Sequence, residues 1–211
     1  MNLYTFTTGP LENNSYLVEY FGKCVLFDAP IESFTPISKF IESSNWHLSA
    51  IILTHSHFDH IVDLQKFKAE YNPEIYLHKD DEFRLINPGL ELPPWAKIEI
   101  EPCREYTFVE DEQILDVENM HFKILHTPGH TAGGICIELL GENKIITGDT
   151  LFNLSVGRTD FEGGNGKELM ESITNKLLSY PDEYEIYPGH MGSSTIGTEK
   201  KFNPFLKNLK I

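Results

Sequence analysis

The segment Thr54–His60, with the sequence THSHFDH, constrains the fold more than any other part of the chain. Within six residues it holds four potential metal ligands: His55, His57, Asp59 and His60. It follows Leu48–Thr54, a short apolar run typical of a strand buried on both faces of a sheet. Because His55 and His57 are two residues apart, their side chains project the same way in an extended turn. The pattern predicts a sheet whose strand ends carry metal-binding groups, where α/β-type sheets present functional residues.

Three further potential ligands each follow a strand-like run and stand directly after a glycine: His130, Asp149 and His190. A glycine at that position lets the backbone turn sharply and brings the next side chain close to an ion. The seven candidates exceed the three protein ligands that one tetrahedral zinc ion with an open position needs, so they suit two ions that share a carboxylate. Imidazole and carboxylate without thiolate fit Zn, Fe or Mn.

The rest of the chain alternates between helix and strand patterns. Apolar residues at helical spacing predict three helices: Ser33–Ser44, Asp63–Tyr71 and Lys167–Leu178. Short apolar or alternating runs predict further strands: Leu3–Phe6, Ser15–Val18, Cys24–Asp28, Ile75–Leu77, Phe122–Leu125, Gly134–Leu139, Lys144–Thr147 and Glu185–Tyr187. The stretch Asn87–Pro102 contains four prolines and is predicted to be a long connection, with the seam between two halves of the chain nearby.

Charge and cysteine content narrow the possible partners. The 32 acidic and 17 basic side chains give a net charge of −15, and such a field repels phosphate backbones and anionic lipid surfaces. The three cysteines are far apart, which predicts free thiols in a reducing compartment. No leader-like N-terminus and no run near the roughly 20 apolar residues of a membrane span is present. We expect a soluble cytoplasmic protein, monomeric or a small homo-oligomer, without nucleic-acid or membrane partners.

The motifs THSHFDH, TPGHTAGG, GDTLF and PGH, in this order, resemble the metallo-β-lactamase superfamily. The resemblance implies a single domain over residues 1–211 with an α+β fold, a four-layer αββα sandwich of two mixed β-sheets flanked by helices. It also implies a ligand assignment: His55, His57 and His130 on one metal, Asp59, His60 and His190 on the second, and Asp149 between them. A histidine rather than a glutamate at position 57 argues against the di-iron flavoprotein branch.

Within the superfamily, GDTLF followed by VGRTDF resembles the hydroxyacylglutathione hydrolases, or glyoxalase II enzymes, particularly their short bacterial form. This resemblance implies hydrolysis of a small-molecule hydroxyacyl thioester, such as S-lactoylglutathione, by a hydroxide bridging two divalent metals, with Zn²⁺ preferred. Asp59 would accept a proton, and Arg158 would contact the substrate. Only 21 residues (211 − 190) follow His190, so we expect no helical glutathione-binding domain and a weak preference for glutathione.

Several alternatives stay open from the sequence. A persulfide dioxygenase with a single iron shares the GRTDF motif, and lactonases and phosphodiesterases share the ligands. A metal-binding module without catalytic activity is the alternative outside the class of enzymes. Arg158 has a second interpretation as a solvated surface cation. The identity and number of the bound metals would separate the dioxygenase from the hydrolase.

Overall fold

The structure is a computed structural model that describes residues 1–89, 92, 96 and 98–207. The chain divides into two compact units, which we call unit 1 (residues 1–109 and 117–120) and unit 2 (residues 110–116 and 121–211). The division falls a few residues after the predicted connection Asn87–Pro102. Residues 90, 91, 93–95 and 97 of that connection lie outside the described residues, and its described part contains no helix or strand beyond residue 86. The expectation of a single domain stays a prediction.

Unit 1 is built on a six-stranded mixed sheet with the strands in sequence order. The strands are β1 (Asn2–Thr8), β2 (Asn13–Tyr20), β3 (Lys23–Phe27), β4 (His47–Ile52), β5 (Glu74–His78) and β6 (Thr107–Val109). The first three pair antiparallel as hairpins, and β3 to β6 pair parallel. The β2–β3 turn has positive φ at both Phe21 and Gly22, as tight hairpin turns require.

The helices of unit 1 bury their apolar faces in one cluster. They are α1 (Phe34–Ser44), α2 (Phe58–Ile61), α3 (Leu64–Tyr71) and α4 (Glu82–Ile86), with a 3₁₀ turn at Lys79–Asp81. Ile37 and Ile41 of α1 and Phe67 of α3 join Leu26 and Ile51 of the sheet in the core. The two helices predicted in this unit are confirmed. The short helix α2 was not predicted, because four residues are too few to show helical periodicity.

Unit 2 holds the second mixed sheet, which has six strands. They are β7 (Ile114–Val117), β8 (Met120–His126), β9 (Ile135–Leu139), β10 (Lys144–Gly148), β13 (Glu185–Pro188) and β14 (Ser194–Thr195). Their order across the sheet is β14-β13-β10-β9-β8-β7. The β10–β13 pair is parallel, while β8–β9, β9–β10 and β13–β14 are antiparallel. A two-stranded ribbon, β11 (Leu151–Phe152) with β12 (Ser155–Val156), follows β10.

The helices of unit 2 are α5 (Gly166–Ser172) and α6 (Ile196–Phe202), both in the part of the chain that the structure describes. The helix predicted over Lys167–Leu178 is α only to Ser172 and continues as a π-helical turn, Ile173–Leu177. The Leu178 amide donates to the Ile173 carbonyl over 2.9 Å, five residues back. Leu177 and Leu178, both counted in the predicted apolar stripe, are buried in the core cluster of unit 2, so the stripe is correct and only the hydrogen-bond pattern of its last turn differs.

The cysteines confirm the expected thiol state. Cys24, Cys103 and Cys136 are free thiols with buried side chains. Burial raises the pKa of Cys24 to about 12 and that of Cys136 to about 11, so both stay protonated and unreactive near neutral pH. Among the described residues, the structure contains no helix with the length and apolar character to cross a membrane.

Candidate metal centre

The predicted ligands of unit 1 cluster where β4 ends. His55, His57 and His60 have 2%, 5% and 0% of their surface exposed. The ring centroids are 4.8 Å apart for His55 and His57 and 4.0 Å apart for His55 and His60. Imidazole rings buried this close to one another place several nitrogen donors in one small volume. Neutral imidazoles gathered in this way are suitable ligands for a divalent metal ion.

The turn that carries the histidines is anchored through the residue between His55 and His57. The Ser56 amide donates to Asp81 Oδ2 over 3.0 Å, and the Ser56 hydroxyl donates to the Asp81 carbonyl over 2.6 Å. Asp81 is fully buried, and Arg84 lies 3.4 Å from its carboxylate. With Ser56 held on Asp81, His55 and His57 are kept on the opposite side of the extended turn.

Asp28 contacts the candidate site, and the sequence analysis did not name it as a site residue. It lies just after β3, is 2% exposed and has a φ of 59°. Its Oδ2 lies 2.9 Å from His60 Nδ1 and accepts from the Thr54 hydroxyl over 2.7 Å, while its Oδ1 accepts from the Thr54 amide over 2.7 Å. The Thr54 hydroxyl in turn lies 3.0 Å from His55 Nδ1.

This network fixes the tautomers of two predicted ligands. When His60 donates its Nδ1–H to Asp28 and His55 donates to Thr54, each ring carries its lone pair on Nε2, the atom that a metal ion can take. A carboxylate behind a ligating imidazole is the usual arrangement of protein metal sites. The ligand atoms of Asp28, His55 and His60 lie within 4.8 Å of one another, and the hydrogen bonds assign Asp28 the role of orienting His60. The donor set of unit 1 therefore fits a divalent metal.

Asp59, the fourth predicted ligand of unit 1, lies near the histidine cluster with a partly accessible carboxylate. Its side chain is 14% exposed, and its Oδ2 is 3.9 Å from His60 Nε2. The same oxygen accepts a hydrogen bond of 3.0 Å from Asn13 Nδ2 at the start of β2. The carboxylate is thus oriented by a neutral amide and remains open enough to reach a water molecule or a substrate.

The three predicted ligands of unit 2 also come together. Asp149 Oδ2 lies 3.5 Å from His130 Nε2 and 3.6 Å from His190 Nε2. A carboxylate oxygen between two imidazole nitrogens suits a shared ligand. His130 Nδ1 lies 2.7 Å from the Arg158 carbonyl oxygen, and donation to that oxygen leaves the lone pair on Nε2.

Two glycines allow this close arrangement in unit 2. Gly129, before His130, has a φ of 135°, and a Cβ there would lie 2.2 Å from the Leu169 nitrogen. At Gly157 a Cβ would lie 1.8 Å from the Asp149 carbonyl oxygen. Both contacts are too short for any side chain, so these positions require glycine.

The backbone carbonyl and the guanidinium of Arg158 make different contacts. Its carbonyl orients His130, whereas its guanidinium is 58% exposed and makes two hydrogen bonds of 2.7 Å, from Nε and Nη2, to the Asp160 carboxylate. It also lies over the Phe161 ring, 4.1 Å from the centroid. The hydrogen bonds from Arg158 lower the pKa of Asp160 to about 2. A substrate carboxylate would have to share this guanidinium with Asp160.

Comparison with known proteins identifies the family. Residues 8–190 match the metallo-beta-lactamase superfamily, and the chain belongs to that superfamily. It is 34% identical over 170 residues to the hydroxyacylglutathione hydrolase GloC of Haemophilus influenzae, with 80% of each chain covered. The structure is similar to that of BLEG-1 B3 metallo-beta-lactamase, with a TM-score of 0.92, 30% identity and coverage of 98% of this chain and 100% of that one.

A second solved structure, TTHA1623 in a di-iron-bound form, has a TM-score of 0.87 and 32% identity, with coverage of 96% of this chain and 100% of that one. The predicted α+β class, with two mixed sheets flanked by helices, is confirmed by these structures and by the sheets described above. Membership of this superfamily, together with the candidate metal-binding groups of His and Asp in this chain, supports the interpretation of the protein as a metal-dependent hydrolase.

We predict that Asp28→Asn weakens metal binding about 10- to 100-fold, the usual effect of removing an outer carboxylate from a ligating histidine. The asparagine keeps the size of the side chain but removes the negative charge that His60 and Thr54 face. Competition with a chromophoric chelator measures the affinity, and circular dichroism checks the fold. Asp182→Asn, which alters an exposed aspartate paired with Lys200, is the matched control. Equal affinities in the two variants would contradict an orienting role for Asp28.

Proposed function

We propose that the protein is a hydrolase of acyl thioesters, with hydroxyacyl thioesters such as S-lactoylglutathione as the substrate class, and that it uses two divalent metal ions. The observation that carries the metal-dependent part is the buried imidazole cluster of unit 1, oriented through Asp28. The thioester part is supported by the similarity to GloC, which is named a hydroxyacylglutathione hydrolase.

The proposed ligands are the seven predicted from the sequence. One ion would be held by His55, His57 and His130, the second by Asp59, His60 and His190, with Asp149 shared. Zn²⁺ is the metal we propose, with Fe or Mn as alternatives, since imidazole and carboxylate ligands suit all three and TTHA1623 is described in a di-iron-bound form. When bound, such ions supply Lewis acidity and lower the pKa of water toward 7.

The side chains contribute positioning and proton transfer. Asp59 is held by Asn13 and is partly open to solvent, so we assign it the acceptance of a proton during hydrolysis. The leaving thiol has an ordinary pKa near 8.5, so its thiolate departs without a dedicated general acid. Arg158 is proposed to bind an anionic part of the substrate, in exchange for part of its pairing with Asp160.

We predict about two metal ions per chain in protein purified without chelators, because seven ligands exceed the needs of one site. Asp149→Ala should lower occupancy of both ions, while His190→Ala should retain about one. Elemental analysis by plasma mass spectrometry measures the metal content. A single tightly held iron, with no second ion on titration, would favour the persulfide dioxygenase instead.

We predict thioesterase activity in the metal-loaded protein, with a weak preference for glutathione over other thiol carriers. The panel should contain S-lactoylglutathione, the lactoyl thioesters of simpler thiols, a lactone, a phosphodiester and nitrocefin. Nitrocefin is included because BLEG-1 is named a metallo-beta-lactamase. Cleavage of the lactone, the phosphodiester or nitrocefin without cleavage of any thioester would refute the proposal. A preference for glutathione of several hundredfold would show recognition of that carrier within this chain.

We predict that Arg158→Ala raises KM for an anionic thioester by up to about fivefold with kcat unchanged, because exposed charged pairs contribute little. Arg158→Lys should be milder, since lysine keeps the charge and loses the bidentate geometry. Steady-state kinetics at several salt concentrations, with metal content verified, provide the test. Arg104→Ala, at an exposed arginine, is the control. A fall in kcat or metal occupancy at constant KM would make Arg158 a positioning residue.

A further inference from the structure

Unit 1 contains a cavity of about 170 Å³ beside Asp59. It is lined by Asp59 and by seven apolar residues: Pro10, Leu11, Ile31, Phe58, Val62, Ala96 and Ile98. Ile31, Phe58 and Val62 are only half-buried, and they are not part of the core cluster of unit 1. Half-buried apolar walls next to one charged group are typical of a ligand site.

The wall formed by the β1–β2 turn is fixed by close packing. At Gly9, which has a φ of 71°, a Cβ would lie 2.3 Å from Ile31 Cγ2. The turn therefore lies directly on Ile31, and Pro10 and Leu11 follow it in the sequence. Asn13, at the far end of the same turn, donates to Asp59. One segment thus shapes the apolar wall and orients the proposed proton acceptor.

We infer that this cavity, the apolar pocket, binds a hydrocarbon group of the substrate next to the scissile bond. The inference rests on the proposed hydrolase function, because it takes Asp59 as a marker of the reaction centre. A dry apolar cavity of about 150 Å³ holds a benzene-sized molecule, so the apolar pocket accommodates about six carbons. The preferred thioesters are then those with a medium-length alkyl or aromatic group, rather than the small polar lactoyl group alone.

The first measurement is the dependence of kcat/KM on chain length in the metal-loaded protein. In one arm the thiol is constant, N-acetylcysteamine, and the acyl group runs from acetyl to octanoyl. In the other arm the acyl group is acetyl and the thiol runs from ethanethiol to octanethiol. Each buried methylene should raise kcat/KM about fourfold until the apolar pocket is full, near six carbons. If kcat/KM rises in the first arm, the apolar pocket binds the acyl group. If it rises in the second arm, the pocket binds the hydrocarbon group of the thiol.

Two pocket variants should shift the profile in opposite directions. Ile31→Ala enlarges the apolar pocket and should move the optimum to groups longer by about three carbons, the difference between the two side chains. Val62→Phe fills it and should abolish the rise in kcat/KM from acetyl to hexanoyl or from ethyl to hexyl. Ile114→Ala, at an isoleucine 61% exposed on β7, is the matched control and should keep the wild-type profile. Circular dichroism and metal content verify each variant.

A binding measurement separates this inference from the proposed function. Calorimetric titration with acetate, butyrate, hexanoate and octanoate reports the apolar pocket without turnover. If no thioester is cleaved, the proposed function fails, and a length-dependent affinity that Val62→Phe removes still supports the pocket. If thioesters are cleaved with flat profiles in both arms and all carboxylates bind alike, the pocket inference is overturned while the hydrolase stands. Unchanged profiles in both folded pocket variants would also overturn it.

Discussion

The hydrogen bonds of the buried Asp28 carboxylate are the interactions that hold the candidate site of unit 1 together. A charge with 2% exposure is costly unless hydrogen bonds replace its water. Here the Thr54 amide, the Thr54 hydroxyl and the His60 ring supply them. The φ of 59° at Asp28 is unusual for a residue other than glycine, and the surrounding bonds maintain it. The end of β3 is thereby joined to the end of β4 and to α2.

Backbone hydrogen bonds also join the end of β3 to the end of β4 and to α2. The Asp28 amide donates to the Ile52 carbonyl over 3.2 Å, and the Ala29 amide donates to the His60 carbonyl over 2.8 Å. The Ala29 carbonyl accepts from the Asp63 amide over 2.9 Å. The position of His60 is therefore set by main-chain and side-chain bonds together, which favours a preorganised ligand over one that moves on binding.

The strand ends could be predicted from the sequence because their signals are local, and the candidate ligands stand out for the same reason. His55, His57 and His60 lie within six residues of one another, and each candidate ligand of unit 2 follows its own glycine. Asp28 was placed at the end of a predicted strand, yet its partners Thr54 and His60 are 26 and 32 residues away. Only the fold brings such residues together. The Arg158–Asp160 pair is separated by only two positions, yet the sequence analysis did not predict it, because it weighed Arg158 only as a substrate contact or a solvated cation.

The family comparison and the apolar pocket concern different properties of the protein. A relative in sequence is named a hydroxyacylglutathione hydrolase and a protein of similar structure is named a B3 metallo-beta-lactamase, so membership of the superfamily leaves the substrate open. The groups that distinguish substrates must then be side chains that neither hold metal nor fill the core. In unit 1 we propose the half-buried Ile31, Phe58 and Val62, together with the β1–β2 turn, for this role. Because Asn13 at the end of that turn also donates to Asp59, the proposal implies that a change in the turn sequence alters substrate preference and proton transfer together.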